Sequence, residues 1–330
     1  MAEDDCVIGI DDWPYDETYG GVYPKGAREK DVYFSPKPAP FSWIKPAHRY
    51  MHKKSIARYP WQFWIEIAAY RLGQIVGVTV PPTFVGLRHA PATGAAVFGA
   101  LIEWFYTLPH QGYVEGGSFM TRAIKDFDVK EGTQHNLETI LNLGQFSQLR
   151  EEWVNYWAEV LAFDTLIGNR DRHQDNWGFI SRRDSFKLVK IGEEVSPFLE
   201  IRGKFSPAFD NGTAWGHEIL EANLGRYDDE ATLERYITNR KARHHMKWSL
   251  EESEPINYFE FMRRFVVQFP ATRARILAIL DFSLEKVECR LRPLLSLVDD
   301  PHVRLSEPRL SFMMRLLSAR RELLRKTIAQ

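Results

Sequence analysis

The amino-acid sequence predicts an α+β protein of two lobes: a small, strand-rich lobe over residues 1–110 and a larger, mainly helical lobe over 111–330. Three observations carry this. The chain has 330 residues, more than one hydrophobic core usually serves. Hydrophobic residues at 44% against charged residues at 26% give the balance of a globular protein with a substantial core. Apolar residues also recur differently in the two parts, as short runs punctuated by proline and glycine before residue 110 and with helical spacing after it.

In chain order, YGGVYPKGAREK (19–30) is a glycine-rich, basic stretch. VYFS (32–35) and FSWIK (41–45) then predict strands joined by the proline-rich turn PKPAP. PWQFWIEIAAYRLGQIV (60–76) predicts a helix opening on proline, whose missing N–H costs nothing in a first turn. TFVGLR (83–88) and AAVFGALIEWF (95–105) predict two further strands around the turn HAPATG, and GYVEGGSFMTRAIKDF (112–127) reads as loop. LREEWVNYWAEVLAFDTLIG (149–168) predicts a long helix with Trp153, Trp157, Val160, Leu161 and Asp164 on one stripe. A buried aspartate there needs hydrogen-bond partners. SFKLVKIG (185–192) and SPFLEIRG (196–203) suggest a β-hairpin. INYFEFMRRFVVQF (256–269), ATRARILAILDF (271–282) and LSFMMRLLSARRELLRKTIA (310–329) predict helices.

Bulk properties narrow the function classes. The formal net charge of −1 gives no electrostatic reason to expect direct nucleic-acid contact, and basic clusters such as NRKARHHMK read as solvated helix faces. Two cysteines, Cys6 and Cys289, imply no disulfide framework and fit a reducing compartment. The acidic start MAEDDCVIGIDD lacks the basic and apolar regions of a signal peptide, and no apolar run has the length of a membrane span. The expectation is a soluble, cytoplasmic protein. The aromatic content of 13% is read as core packing rather than a platform for bases.

The chemistry concentrates in LAFDTLIGNRDRHQDNWGFI (161–180), where eight residues without one hydrophobic side chain separate two core-like runs. Asp171 and Asn176 stand five residues apart there, and Asp210 opens DNG further on. Phosphoryl transfer from a nucleotide needs a carboxylate to orient the attacking hydroxyl and oxygen ligands for magnesium. In protein kinases a catalytic Asp precedes a metal-binding Asn by the same interval, and a second metal-binding Asp opens a DFG tripeptide downstream. Gly212 would supply backbone freedom after the metal ligand. Such an enzyme also needs a lysine for the phosphates and a helix glutamate to hold it. Lys45, at the end of FSWIK, and Glu66, in the following helix, are the candidates.

PKGAREK, WIKP, IEIAAYRLGQIVGVTVP, LIGNRDRHQDNWGF and SPAFDNG, in this order, resemble the HipA-like kinases, with a looser similarity to phosphatidylinositol kinases. The resemblance extends from about Gly20 to Gly212 and implies a two-lobed, protein-kinase-like fold. It implies an ATP- and magnesium-dependent enzyme that phosphorylates Ser or Thr in proteins. Residue by residue, Lys45 would contact the α/β-phosphates and pair with Glu66. Asp171 would be the catalytic carboxylate, and Asn176 and Asp210 the magnesium ligands. His173 would lie near the γ-phosphate or brace the loop. Gly26, Ala27 and Arg28 would cover the phosphates, and the Glu103 carbonyl and Phe105 amide would hold adenine. Asp164 would anchor the loop.

The chain departs from that family in two respects. GGVYPKGAREK holds no Ser or Thr, so the phosphorylation switch that family members often carry in this loop is not expected. Only about 20 residues precede the loop, so docking of an antitoxin-like regulatory partner through an N-terminal subdomain is not implied. Two alternatives stay open on the sequence: a lipid or small-molecule acceptor, because the D-R-H-x-x-N loop is shared with lipid kinases, and a pseudokinase that serves as a binding module.

Overall fold

A computed structural model describes residues 4–18, 30–107, 110–145, 150–182, 189–191, 194–196 and 203–330. Its strands and helices begin with β1 (Val7–Gly9), β2 (Lys30–Phe34), β3 (Arg49–Lys54), α1 (Phe63–Val76), β4 (Thr83–His89) and β5 (Ala96–Glu103). Next come β6 (Gln111–Glu115), α2 (Gly116–Ala123), α3 (Leu137–Gln145), α4 (Arg150–Ile167), β7 (Gly178–Arg182), β8 (Val189–Ile191), β9 (Glu194–Ser196) and β10 (Gly203–Phe205). The remainder is helical, with α5 (Glu230–Thr238), α6 (Tyr258–Gln268), α7 (Arg273–Leu280), α8 (Leu284–Leu291) and α9 (Glu307–Ala329). The expected α+β class holds: a strand-rich N-terminal sheet and a larger helical C-terminal region. No described helix is long and apolar enough to cross a membrane.

Two compact units form. One comprises Met1–Trp104, Asn211–Arg235 and Phe282–Ala319, the other Phe105–Asp210, Tyr236–Asp281 and Arg320–Gln330. The first is built on a five-stranded sheet in the order β1-β4-β5-β3-β2, with β1 parallel to β4 and all other neighbours antiparallel. Helix α1 packs on β4, β5 and α8. It is buried on nearly every face, Glu66 and Arg71 included, which marks a core helix rather than a surface one. Its end is set by Gly77 at φ 77°, whose N–H returns to the Gly73 carbonyl. Gly73 permits close packing: a Cβ there would stand 2.7 Å from Val80 Cγ2.

The second unit carries the antiparallel sheet β10-β7-β6, and α4 packs there with α3, α6 and α7. Trp157 meets Trp177 at 5.2 Å, Trp153 meets Phe179 at 4.8 Å, and Tyr156 stacks on Phe205 at 3.9 Å. Much of the aromatic content is therefore core.

Three expected elements differ. FSWIK is a turn, not a strand: Ile44 N–H returns to the Phe41 carbonyl at 3.1 Å. Its apolar residues pack on the core beneath the sheet with Trp13, Tyr50 and Leu101 instead of pairing in a ladder. The run 112–127, read as loop because of its glycines, forms β6 and α2. Those glycines serve contact, since Gly116 N–H donates to the Trp177 carbonyl and a Cβ on Gly116 would overlap the Trp177 ring. The hairpin closes early, between β8 and β9, and β10 pairs with β7 instead. The remainder of that hairpin region lies outside the described residues.

His52, in the middle of β3, is fully buried, and a Cβ on Gly86 or Gly99 would meet its ring within 2.8 Å. Burial lowers its pKa from 6.5 to about 4. A histidine held neutral in the fold binds its proton more readily when unfolded, so its share of stability is present above pH 6.5 and is lost as pH falls toward 4. Urea unfolding is expected to show a loss of about 2 kcal/mol from this group between pH 7 and pH 5, and His52→Leu should flatten the pH dependence by that amount.

Candidate active site

The strand β3 reads RYMHKK, polar enough to pass for a solvated loop, yet it lies inside the sheet between β5 and β2. There Lys53 sits opposite Ala100, and its side chain is 1% exposed. Its ammonium meets Glu66 Oε1 at 2.7 Å, and the Glu66 side chain is 3% exposed. The other carboxylate oxygen, Oε2, accepts the N–H of Asn211 at 2.9 Å. The expected pairing of Lys45 with Glu66 is thus corrected: the lysine is Lys53. Lys45 stands in the turn after Ile44, 60% exposed, with its ammonium 2.6 Å from Glu103 Oε1. Tyr50 OH also donates to that carboxylate, at 3.3 Å. Strand alternation held the missing signal, with Tyr50 and His52 on one face and Met51 and Lys53 on the other. The cluster of basic residues obscured it.

In the second unit α4 ends at Gly168, φ 70°, and the loop 169–177 leads into β7. The loop is tied to the helix by Asp164, which is fully buried as is Arg172. Arg172 donates Nε and Nη2 to the two Asp164 oxygens at 2.9 and 2.8 Å, the planar fork that suits a carboxylate. Its Nη1 reaches the carbonyls of Asn176 and Phe209. Burial opposes the Arg172 charge, but the Asp164 carboxylate, with Tyr156 and Asp210 behind it, outweighs burial and raises the pKa. Asp164 therefore has the hydrogen-bond partners that its place on the helix stripe requires, and through them it ties down the loop.

Asp171 and Asn176 are brought together. Asn176 Nδ2 donates to the Asp171 carbonyl at 2.6 Å, and the Asp171 N–H donates to Asn169 Oδ1 at 3.1 Å. With its nitrogen so committed, Asn176 retains its amide oxygen as a ligating atom. His173 makes a loop-bracing contact, Nδ1 accepting the Asp175 N–H at 3.2 Å, and its ring packs edge-on to His245 at 5.9 Å. Behind the loop, fully buried His135 accepts the Trp177 indole N–H at 3.0 Å. Burial holds its pKa well below 6.5, the neutral state that an acceptor requires.

Asp210 follows Phe209, whose ring lies 5.1 Å from that of Phe105. Positive φ falls on Asp210 itself, at 56°, and not on Gly212. Aspartate is among the residues that tolerate this conformation. Gly26, Ala27 and Arg28 lie outside the described residues.

An amide oxygen and a carboxylate are hard donors of the kind magnesium takes together with phosphate oxygens. Among the described residues no group of three or more His, Cys, Asp or Glu side chains is arranged to hold a metal unaided. The Asn176 amide and the Asp210 carboxylate are of the donor types such an ion takes.

No protein-family model and no curated protein matches the chain. Solved structures do. The crystal structure of the proinflammatory kinase CtkA of Helicobacter pylori matches with a TM-score of 0.69 and 17% identity, over 98% of this chain and 99% of that one. HipA of Shewanella oneidensis MR-1, solved with HipB and operator DNA, matches with a TM-score of 0.50 and 12% identity, over 93% of this chain and 66% of that one. The fold is kinase-like.

Cutting the loop anchor has a measurable cost. Asp164→Ala leaves the Arg172 charge buried without its carboxylate, and urea unfolding is expected to register a loss of about 3–5 kcal/mol. The double variant Asp164→Ala/Arg172→Met should lose less than the sum of the two single changes.

Proposed function

We propose that the chain is an ATP- and magnesium-dependent phosphotransferase acting on a Ser or Thr hydroxyl of a protein. The observation that carries this reading is the buried Lys53–Glu66 pair, whose carboxylate also binds the amide next to Asp210. A charge pair this dry is costly to maintain for stability alone. It is the arrangement that nucleotide phosphates require of a lysine.

In this reading Lys53 contacts the α/β-phosphates and Glu66 orients it. Asp171 aligns the acceptor hydroxyl and takes its proton as the oxygen attacks the γ-phosphorus. The bond to the β–γ bridging oxygen breaks, and ADP leaves. Asn176 and Asp210 hold magnesium, which when bound neutralises charge on the phosphate oxygens. His173 stands in the same loop, where its ring and the bond to Asp175 keep the loop in shape. Gly26, Ala27 and Arg28 are assigned to covering the phosphates, and the Glu103 carbonyl and Phe105 amide to adenine, on the strength of the sequence resemblance. Lys45 is left out of the mechanism.

Incubation with ATP labelled at the γ-phosphate and a lysate as acceptor tests this. Lys53→Met, Asp171→Asn and Asp210→Asn should each lower transfer by about 10²–10⁴-fold. Lys45→Met removes an ammonium that is itself 60% exposed and leaves Glu103 its bond from Tyr50 OH, so transfer should stay within about fivefold of wild type. Equal transfer by all four variants would remove these residues from the chemistry, and mapping the label by mass spectrometry identifies the acceptor side chain.

A further inference from the structure

Gln62 is a polar side chain in an aromatic stretch, PWQFW, and it is buried. It occupies the N-cap of α1, where a Ser, Thr, Asp or Asn oxygen usually caps the helix, yet it makes no capping bond. Ser55 supplies one from outside, its Oγ accepting the Phe63 N–H at 2.9 Å. The Gln62 amide is turned elsewhere. Its Nε2 donates to the Gly212 carbonyl at 2.9 Å, while its Oε1 is buried without a hydrogen-bond partner among the described residues. An amide with one end unanswered is worse off in a core than an apolar side chain of the same shape. Packing therefore gives no reason for glutamine here, and the bond to Gly212 does.

One helical turn further on, Glu66 accepts the Asn211 N–H, so the two side chains sit on the same face of α1. Trp61 adds a third hold, its indole N–H donating to the His217 carbonyl at 3.0 Å. The backbone after Asp210 is gripped by its amide at 211 and by its carbonyl at 212. Asp210 itself keeps φ at 56°, a conformation that persists in a residue other than glycine when its neighbours hold it there.

We propose that Gln62 is a positioning residue for Asp210, fixing through the Gly212 carbonyl the backbone that presents the metal-binding carboxylate. This rests on the reading of Asp210 as a magnesium ligand. Gln62 touches neither metal nor nucleotide. It acts by ordering a ligand beforehand, so that less freedom is lost when the ion binds.

The test uses the full chain with Gln62→Met and Gln62→Leu, both close to glutamine in size and both lacking the donor. Manganese uptake beside a non-hydrolysable ATP analogue, followed by electron paramagnetic resonance, gives a readout independent of turnover. Binding of the same analogue in EDTA reports on the Lys53 side. Manganese affinity should fall about 10-fold in both variants, the worth of one hydrogen bond. Affinity in EDTA and the melting temperature of Gln62→Met should stay at wild-type values. Unchanged manganese affinity in both variants, beside normal wild-type binding, overturns the role of Gln62 alone. Wild-type protein that takes up neither manganese nor the analogue overturns the phosphotransferase reading and this proposal with it. Loss of a cooperative melting transition in both variants makes Gln62 a folding residue, and the positioning role is then wrong.

Discussion

Between Lys53 and Glu66 water is almost wholly excluded, and the two charges stand 2.7 Å apart. Moving each from water costs several kcal/mol even after relaxation, and their attraction offsets this only when the remaining hydrogen-bonding capacity is also met. The second Glu66 oxygen meets it with the Asn211 amide. Three distant segments thereby become mutually necessary: the strand β3, the helix α1 and the chain that follows Asp210. Displacing any one breaks a buried hydrogen bond of this set. The placement of β3 inside the sheet and the packing of α1 on β4 and β5 are the ways the first unit keeps this arrangement dry.

The second unit solves a related problem with a different cation. Arg172 spends a planar fork on Asp164 and its remaining reach on two carbonyls, so one side chain fixes the loop that carries Asp171 and Asn176 and the segment that leads to Asp210. Guanidinium suits such a ligature because its donors are rigidly disposed and its charge is permanent. Lysine suits the other unit for the opposite reason. A compact ammonium on a flexible stem meets the Glu66 carboxylate as a point charge and needs no planar partner.

Much of the candidate site was legible in the chain because its residues are local. Asp171 and Asn176 lie in one loop that follows directly on the α4 end, and a wholly polar stretch between two core-like runs is poorly suited to packing and well suited to chemistry. Asp164 was legible for a similar reason, as a carboxylate on an apolar stripe. Lys53 was not. Its strand is polar because it is central and its side chains find partners, and a neighbouring apolar stretch, FSWIK, looked more strand-like while packing as a turn. Gln62 and Gly116 were obscure on the same grounds: each answers to a group far along the chain.

What the sequence determined alone was periodicity and local composition: the α+β class, the long helices, the polar loop and the oxygen-bearing side chains within it. These depend on contacts within a few residues, where backbone geometry dictates which side chains meet. Tertiary structure decided which lysine serves Glu66, which residue carries the positive φ beside Gly212, and what holds the backbone after Asp210. Those choices turn on desolvation, and burial is a property of the whole assembled core that no short window of residues contains.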